Sequence, residues 1–506
     1  MTTLIGPLRR AVQIAPDRVA VRCGEVALTY GQVWERTRRL VGALHALGVD
    51  AGDRVAVVGR NCHRYLELYQ AVPGAGMVLV PLNQRHTAAE LAYALEDSGA
   101  KVVFAGSGVD YPEGVVARVI DLDEGYESLL AGGTPAAFPD RLPDDSVAGL
   151  FYTGGTTGAA KGVMLTHRNL TANALHFQAS FPFRDDTRWL VAAPLFHAAG
   201  SIAVLAIVWH AGGHVVLPAF DPSAALDLIE QDGVTATLLV PTMLAALTEE
   251  QLARPREVST LRLISHGGAP VATETLRRAH SAFPDAELMH LYGTTETSPI
   301  ATVLSNEELI LDKPQARSCG QAAVGVEIAV LDPASPTGEP AASGTVGEVA
   351  IRGDNVMAGY WNQPDETATA LTGGWYHTGD LGYLDDRGFL YLVDRTKDMI
   401  VTGGENVYSF EVEEALYLHD CVLEAAVFGI PDERWGEAVH AVVVPRAEVD
   451  EAELLAHCRA RIATYKVPKR IELRTEPLPK SGAGKVLKRE LRAPYWAGRE
   501  TMIAGA

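Results

Sequence analysis

The chain has 506 residues, of which 47% are hydrophobic and 21% charged, with 48 Gly and 28 Pro. At about 150 residues per domain this makes roughly three compact units, or one large composite domain and a smaller one, and the composition excludes a disordered, collagenous or coiled-coil protein. The formal net charge of −20 repels nucleic acid and anionic membranes, so a polyphosphate ligand has to be held by local positive charge. One stretch supplies it: between residues 461 and 492 ten Lys and Arg stand against three Glu.

The predicted elements alternate from the start. Residues 33–47 are amphipathic, 54–58 and 77–81 read as strands, 88–96 as a helix, and 101–104 as a strand. Residues 191–220 carry no Asp, Glu, Lys or Arg, but Pro194, His197, His210, Gly212, Gly213, His214 and Pro218 interrupt them. The clean part, 202–209, falls short of the roughly 20 residues of a spanning helix and reads as a buried core helix with a strand after it. Strands follow at 235–240, 261–265 and 287–292. Short apolar runs between helical stretches argue for largely parallel sheets covered by helices. After about Gly347 the pattern turns to hairpins, with Asp385, Asp386, Arg387 and Gly388 at the tip of 384–391 as a turn signal. From Ser409 a compact unit reads by itself: helix 411–418, strands 423–428 and 438–444, helix 451–463 and strand 471–474. A domain boundary is expected at residues 394–398, where the pattern changes. Five scattered cysteines, Cys23, Cys62, Cys319, Cys421 and Cys458, give no disulfide framework or zinc site and point to a reducing cytoplasm. The first 18 residues lack the apolar core of a signal peptide.

Five clusters carry chemistry. In Thr153-Gly154-Gly155-Thr156-Thr157-Gly158-Ala159-Ala160-Lys161 a buried strand enters a loop with three Gly, three Thr and a Lys. Such a loop can turn backbone N–H groups, hydroxyls and an ammonium toward phosphate. A Walker A loop would need Gly in place of Ala160 and Ser or Thr in place of Gly162, so that motif is excluded. Tyr292-Gly293-Thr294-Thr295-Glu296 sets hydroxyls beside a carboxylate, the equipment for a phosphate oxygen and a hard Mg²⁺. Asp380, in a Gly-flanked loop, can accept from both hydroxyls of a ribose. Residues 394–406 concentrate charge before an apolar strand, and Lys485 follows a Ser/Gly loop near the C-terminus. Each alone has a bland reading: a surface turn, a solvated glutamate, a turn aspartate, a salt-bridge cluster, a basic tail.

Together and in this order the five segments resemble the signature motifs of the AMP-forming acyl-CoA synthetases, from about Ala15 to about Arg492. The resemblance implies an α/β fold with a large N-terminal domain (residues 1–396) of two α/β sheets plus a β-barrel-like part. A small mobile C-terminal α+β lid (residues 397–506) would follow, hinged at Lys397. It implies a ligase that makes an acyl-adenylate and pyrophosphate from a carboxylic acid and MgATP and passes the acyl group to CoA. ATP, Mg²⁺ and coenzyme A are the implied cofactor and co-substrates. No nucleic acid or transmembrane segment is implied, and a homodimer is allowed.

Carried over, Thr153, Gly154, Gly155, Thr156, Thr157, Gly158 and Lys161 would take the β- and γ-phosphates. Thr295 would touch the α-phosphate and Glu296 would hold the metal. Gly268, Ala269, Pro270 and Tyr292 would face adenine; Asp380 and Arg395 would bind the ribose. Lys485 would bridge carboxylate and α-phosphate, then give way to Gly403 and Gly404 beside the pantetheine arm. Arg85 and Trp435 are further CoA candidates, and His197 resembles a gate between acyl pocket and CoA tunnel. The acyl pocket would be lined by Phe196, His197, Gly200, His266, Gly267, Gly293, Pro299 and Ile300. Small residues at 200, 267 and 293 would leave depth, and the lack of Lys or Arg leaves a dicarboxylate unpaired. A planar aryl-propenoic acid such as coumarate or ferulate, or a medium-chain fatty acid, fits; His266 offers a hydrogen bond to a phenol, which favours the aryl acid. The rival is a stand-alone adenylating enzyme loading a carrier protein. An amino acid substrate is disfavoured, since Phe196-His197-Ala198-Ala199 offers no anion for its amino group.

Two positions depart from the family pattern: Gly154 stands where Ser is usual and Ala160 where Pro is usual. Losing one hydroxyl donor weakens phosphate binding by about 0.5–1.5 kcal/mol. The KM for ATP is therefore expected to be raised and to fall in Gly154→Ser, measured by ATP–pyrophosphate exchange.

Overall fold

The computed structural model describes residues 3–497 except 113, 116, 154–159, 270, 272, 306–312, 333–338, 396–397, 433 and 481–485, and leaves out the side chains of 201–203. Contacts divide the chain into two compact units, Met1–Ile328 with Ile351–His377, and Ala329–Ala350 with Thr378–Ala506. This division differs from the expected one at 396/397: residues 378–395 cluster with the C-terminal unit because their strands pair with each other and with residues near 349.

The first unit holds two mixed sheets. One has seven strands in the order Gly359–Tyr360, Lys161–Thr166, Val147–Thr153, Val78–Leu82, Arg54–Val58, Val102–Ala105 and Arg118–Asp121. Its centre is parallel (Arg54 beside Val78, Val55 beside Val102) and the edge that carries Lys161–Thr166 and Gly359–Tyr360 antiparallel. Strands such as Arg54–Val58 and Val78–Leu82 are apolar on both faces and buried, as helices on both sides of a parallel sheet require. The other sheet has nine strands, with Ala236–Leu239, Leu263–Gly267 and Glu287–Tyr292 parallel in sequence. Helix starts follow local chemistry. Thr29 with Gln32, Thr87 with Glu90 and Thr166 with Asn169 form capping boxes, each satisfying N–H groups that the first turn leaves over.

The uncharged stretch forms the helix Ala198–Trp209 and the strand Gly213–Val216, as its sequence suggests. Among the described residues no helix is long and apolar enough to cross a membrane. Most of the other elements fall within a few residues of their predicted places. The predicted helix 451–463 ends earlier, as Glu451–Arg459.

A four-stranded sheet runs in the order Val326–Leu331, Gly347–Gly353, Tyr376–Leu384, Leu390–Arg395, with most of its residues in the second unit. A second sheet, built on the long hairpin Val422–Asp432 and Gly436–Pro445, closes over Val412, Leu416, Val427, Val439, Val443 and Leu454.

His167, fully buried at the start of the helix His167–Ser180, accepts the Leu4 N–H at Nδ1 over 3.2 Å. Burial pushes its pKa down from 6.5 to about 4. A depressed histidine is neutral when folded, so its contribution is complete above pH 6.5 and is lost as pH falls toward 4, where the unfolded chain takes the proton first. At pH 5 this amounts to about 2 kcal/mol. Urea unfolding is expected to show lower stability at pH 5 than at pH 7, with a smaller difference in His167→Gln.

Candidate active site

The strands Val147–Thr153 and Lys161–Thr166 pair antiparallel, with Thr153 opposite Lys161. The main chain thus closes the two ends of the Gly/Thr loop on each other, and a strand rather than a helix follows it. A P-loop of the Walker kind has a helix N-terminus there, so the topology agrees with the exclusion made on spacing. Gly154, Gly155, Thr156, Thr157 and Gly158 lie outside the described residues. Lys161 Nζ is 2.5 Å from Glu366 Oε2 and 5.1 Å from the centre of the Tyr360 ring. Tyr360 in turn donates its hydroxyl to Glu296 Oε1 over 2.9 Å. Burial, and then the Glu296 carboxylate, hold the Tyr360 phenol well above its ordinary pKa, so it stays a donor.

Glu296 sits in the single 3-10 turn Thr295–Thr297, directly after Gly293 and Thr294 at the end of the strand Glu287–Tyr292. Two buried asparagines fix this turn. Asn173 Nδ2 donates to the carbonyls of Thr297 (3.2 Å) and Ile300 (2.9 Å), and Asn355 Nδ2 to the same two at 2.9 and 2.8 Å. Ser298 Oγ adds a bond to the Asn355 carbonyl at 2.9 Å. Sequence reasoning missed both asparagines. The available signal was Asn169 and Asn173 four residues apart on one helical face; Asn169 Nδ2 reaches the carbonyls of Asp354 and Val356.

Glu296 is the carboxylate that this turn offers, and no cluster of three His, Cys, Asp or Glu able to hold a metal occurs among the described residues. That donor set fits Mg²⁺, which is taken through one or two carboxylates together with phosphate oxygens and water. It does not fit a zinc cage.

The residues expected to line the acyl pocket fall on the strand Leu263–Gly267, the Glu296 loop and the start of the helix Ala198–Trp209. Phe196 and Ile300 are buried, and His197 caps that helix with its ring 4.3 Å from the Phe196 ring. His266 is fully buried, packs edge-on to His290 at 5.0 Å, and has no hydrogen-bond partner on either ring nitrogen. Burial, with His290 next, holds it well below the usual histidine range, so it is neutral. The glycines expected to give depth do something else. A Cβ on Gly267 would collide with the Leu291 carbonyl oxygen, one on Gly293 with the Pro299 carbonyl oxygen, and one on Gly200 would lie 2.8 Å from the Pro194 carbonyl oxygen. Glycine there permits close main-chain packing. Tyr292 is buried, Gly268 (φ +81) and Ala269 are at least partly exposed, and Pro270 lies outside the described residues. Arg85 is exposed, its N–H held by Asn83 Oδ1 at 3.0 Å.

In the second unit Asp380 and Arg395 are register partners on adjacent strands, and Arg395 Nε is 3.0 Å from Asp380 Oδ1. Asp380 is buried and Arg395 partly exposed. Gly403 (φ +61) and Gly404 (φ +83) make the two-residue turn of the hairpin Ile400–Thr402 and Glu405–Val407, where positive φ at both positions calls for glycine. Gly403 N–H bonds to the Trp435 carbonyl at 2.8 Å. Trp435 is 38% exposed, with Arg434 at 4.6 Å and Lys469 at 5.8 Å from its ring. Three of the residues expected at CoA therefore share one basic, aromatic surface. Lys397 and Lys485 lie outside the described residues.

The model of the AMP-binding enzyme family matches residues 8–361, and that of the AMP-binding enzyme C-terminal domain matches 411–485. The chain is 43% identical over 499 residues to a feruloyl-CoA synthase of Amycolatopsis sp, covering 97% of this chain and 98% of that protein. It is 36% identical over 510 residues to a fatty acid–[acyl-carrier-protein] ligase of Streptomyces coeruleorubidus, with 98% and 97% covered. Among solved structures it resembles the o-succinylbenzoate CoA synthetase of Bacillus subtilis in complex with its acyl-adenylate intermediate, with a TM-score of 0.88, 30% identity, and 97% and 98% covered. The chain belongs to the AMP-binding enzyme family. It is an AMP-forming acid:CoA ligase that activates a carboxylic acid with ATP through an acyl-adenylate, using ATP, Mg²⁺ and CoA. Its large N-terminal and small C-terminal α/β parts are those of adenylate-forming enzymes.

Because Asn173 and Asn355 each donate two hydrogen bonds to the Glu296 turn, Asn173→Ala and Asn355→Ala are each expected to lose about 1–3 kcal/mol of stability, from two hydrogen bonds at about 0.5–1.5 kcal/mol each. Thermal unfolding gives the loss; ATP–pyrophosphate exchange is expected to fall with it.

Proposed function

We propose that the acid is an aryl-propenoic acid, coumarate or ferulate, with a medium-chain fatty acid as the second choice. The observation that carries this reading is His266: a buried, neutral imidazole with two unfilled hydrogen-bonding positions among the described residues suits a ligand that brings an aromatic ring and one uncharged hydroxyl. The 43% identity to a feruloyl-CoA synthase supports it. None of the proposed lining residues is Lys or Arg, which disfavours a second carboxylate.

The residue roles are proposals of the same standing. Thr153 and Lys161, with the loop between them, hold the β- and γ-phosphates. Thr295 takes the α-phosphate. Glu296 holds Mg²⁺, which supplies charge neutralisation on the phosphates when bound. Asp380 and Arg395 take the ribose hydroxyls, and Gly268, Ala269, Pro270 and Tyr292 the adenine. The difficulty of the first step is that a carboxylate must approach a polyphosphate. Lys485 answers it with an ammonium placed between the two anions, stabilising charge as it develops. For thioester formation Gly403, Gly404 and Trp435, together with Arg85, take CoA, with His197 as the gate and Lys397 as the hinge of a lid beginning at residue 397. We place the enzyme in the cytoplasm, where its five free cysteines stay reduced.

The test is mass-spectrometric detection of acyl-CoA with ATP, Mg²⁺, CoA and acids from acetate through octanoate and palmitate to benzoate, cinnamate, coumarate and ferulate. Coumaroyl- or feruloyl-CoA with AMP is the expected product; palmitoyl-CoA alone would overturn the aryl reading. Pyrophosphate release without thioester would move the acceptor to a carrier protein. In Lys485→Ala adenylation is expected to collapse while thioester formation from supplied acyl-adenylate survives; equal loss of both steps would remove the bridging role.

A further inference from the structure

Lys161 already has partners of its own. Its side chain is 20% exposed, and its ammonium lies between the half-exposed Glu366 carboxylate at 2.5 Å and the Tyr360 ring at 5.1 Å. The arrangement is built rather than accidental. Gly359–Tyr360 is an edge strand paired with Lys161–Thr166 (Tyr360 opposite Val163), and the Trp361 N–H bonds to the Gly162 carbonyl at 2.8 Å. The helix Pro364–Ala370, which carries Glu366, is fastened to the same strand by Thr367, whose Oγ1 accepts the Tyr360 N–H at 2.9 Å. Through its hydroxyl Tyr360 donates to Glu296 at 2.9 Å. One tyrosine thus touches both the cation proposed for the terminal phosphates and the carboxylate proposed for Mg²⁺.

We propose that Glu366 and Tyr360 are positioning residues for ATP: Glu366 is a built-in counter-ion that holds Lys161 over Tyr360 until the terminal phosphates take the ammonium over, and Tyr360 aims Glu296. This rests on the reading of Lys161 and Glu296 given above. A half-exposed carboxylate makes a weak pair, so a polyphosphate displaces it. While the pair persists, the fraction of enzyme with a free Lys161 is reduced, and apparent affinity falls by that fraction. Removing the charge on Glu366 therefore tightens binding of every ligand that carries the terminal phosphates, by about two- to five-fold for a surface-strength pair, and leaves AMP alone. Removing the Tyr360 hydroxyl frees the Glu296 carboxylate to rotate, and outer-shell partners of this kind set metal affinity.

The experiment is calorimetric titration of the full chain, without acid, with ATP, pyrophosphate and AMP, each with Mg²⁺, and with ATP in excess EDTA. Glu366→Gln is expected to bind ATP and pyrophosphate about two- to five-fold more tightly with AMP unchanged. Tyr360→Phe is expected to weaken MgATP several-fold while ATP in EDTA is unmoved. In a Lys161→Ala background the effect of Glu366→Gln should vanish, since the two side chains act as one pair. If Lys161→Ala leaves ATP and pyrophosphate binding as in the wild type, the phosphate-loop reading falls and this proposal with it. If Lys161→Ala weakens both but Glu366→Gln leaves them unchanged, or shifts AMP equally, the proposal alone is overturned.

Discussion

The pairing of Thr153 with Lys161 across two antiparallel strands is the constraint on which the arrangement around Lys161 depends. Closing a loop costs entropy that must be recovered elsewhere. Here the hydrogen-bonded ladder on either side provides the closure. The same ladder sets the register of the edge strand Gly359–Tyr360 against Val163 and Met164, which brings a phenol under the lysine. Through that phenol the ladder reaches Glu296, 64 residues away in sequence. The positions of Lys161, Tyr360 and Glu296 are thus fixed by main-chain pairing first and by side-chain contacts second.

A second layer of order comes from buried amides. Asn173 and Asn355 approach the Glu296 turn from different parts of the chain and donate to the same two carbonyls. A backbone with few alternatives holds the Glu296 carboxylate in one place, and a group whose position matters gains from such support. Asparagine suits this position because two donors on one nitrogen can hold two carbonyls at once.

The parts legible in sequence were those whose chemistry is local. The strand Glu287–Tyr292, the Gly/Thr segment before Lys161 and the Asp380 segment each stand out within a dozen residues, since glycine, hydroxyl and charged types crowd together there. Asp380 and Arg395 could be paired in advance only through the family resemblance, although the structure shows them as neighbours on one hairpin. Tyr360, Glu366, Asn173 and Asn355 were not legible, because their partners lie 55 to 205 residues away. Glu366 in particular reads as an ordinary acidic residue of a helical first turn. The glycines at 200, 267 and 293 were recognised but misread. A sequence shows that a side chain is absent; it does not show whether the vacated direction faces a ligand or a carbonyl oxygen.

Those glycines limit how the enzyme can change its diet. Where a methyl group would strike main chain, no gradual series of side chains is open, and each substitution disturbs the sheet before it alters the proposed acyl pocket. Drift toward a longer, shorter or more polar acid therefore has to pass through Phe196, His197, His266, Pro299 and Ile300, the positions of the proposed pocket that already carry side chains. A library built to change acid preference gains most by varying those five and leaving the glycines fixed.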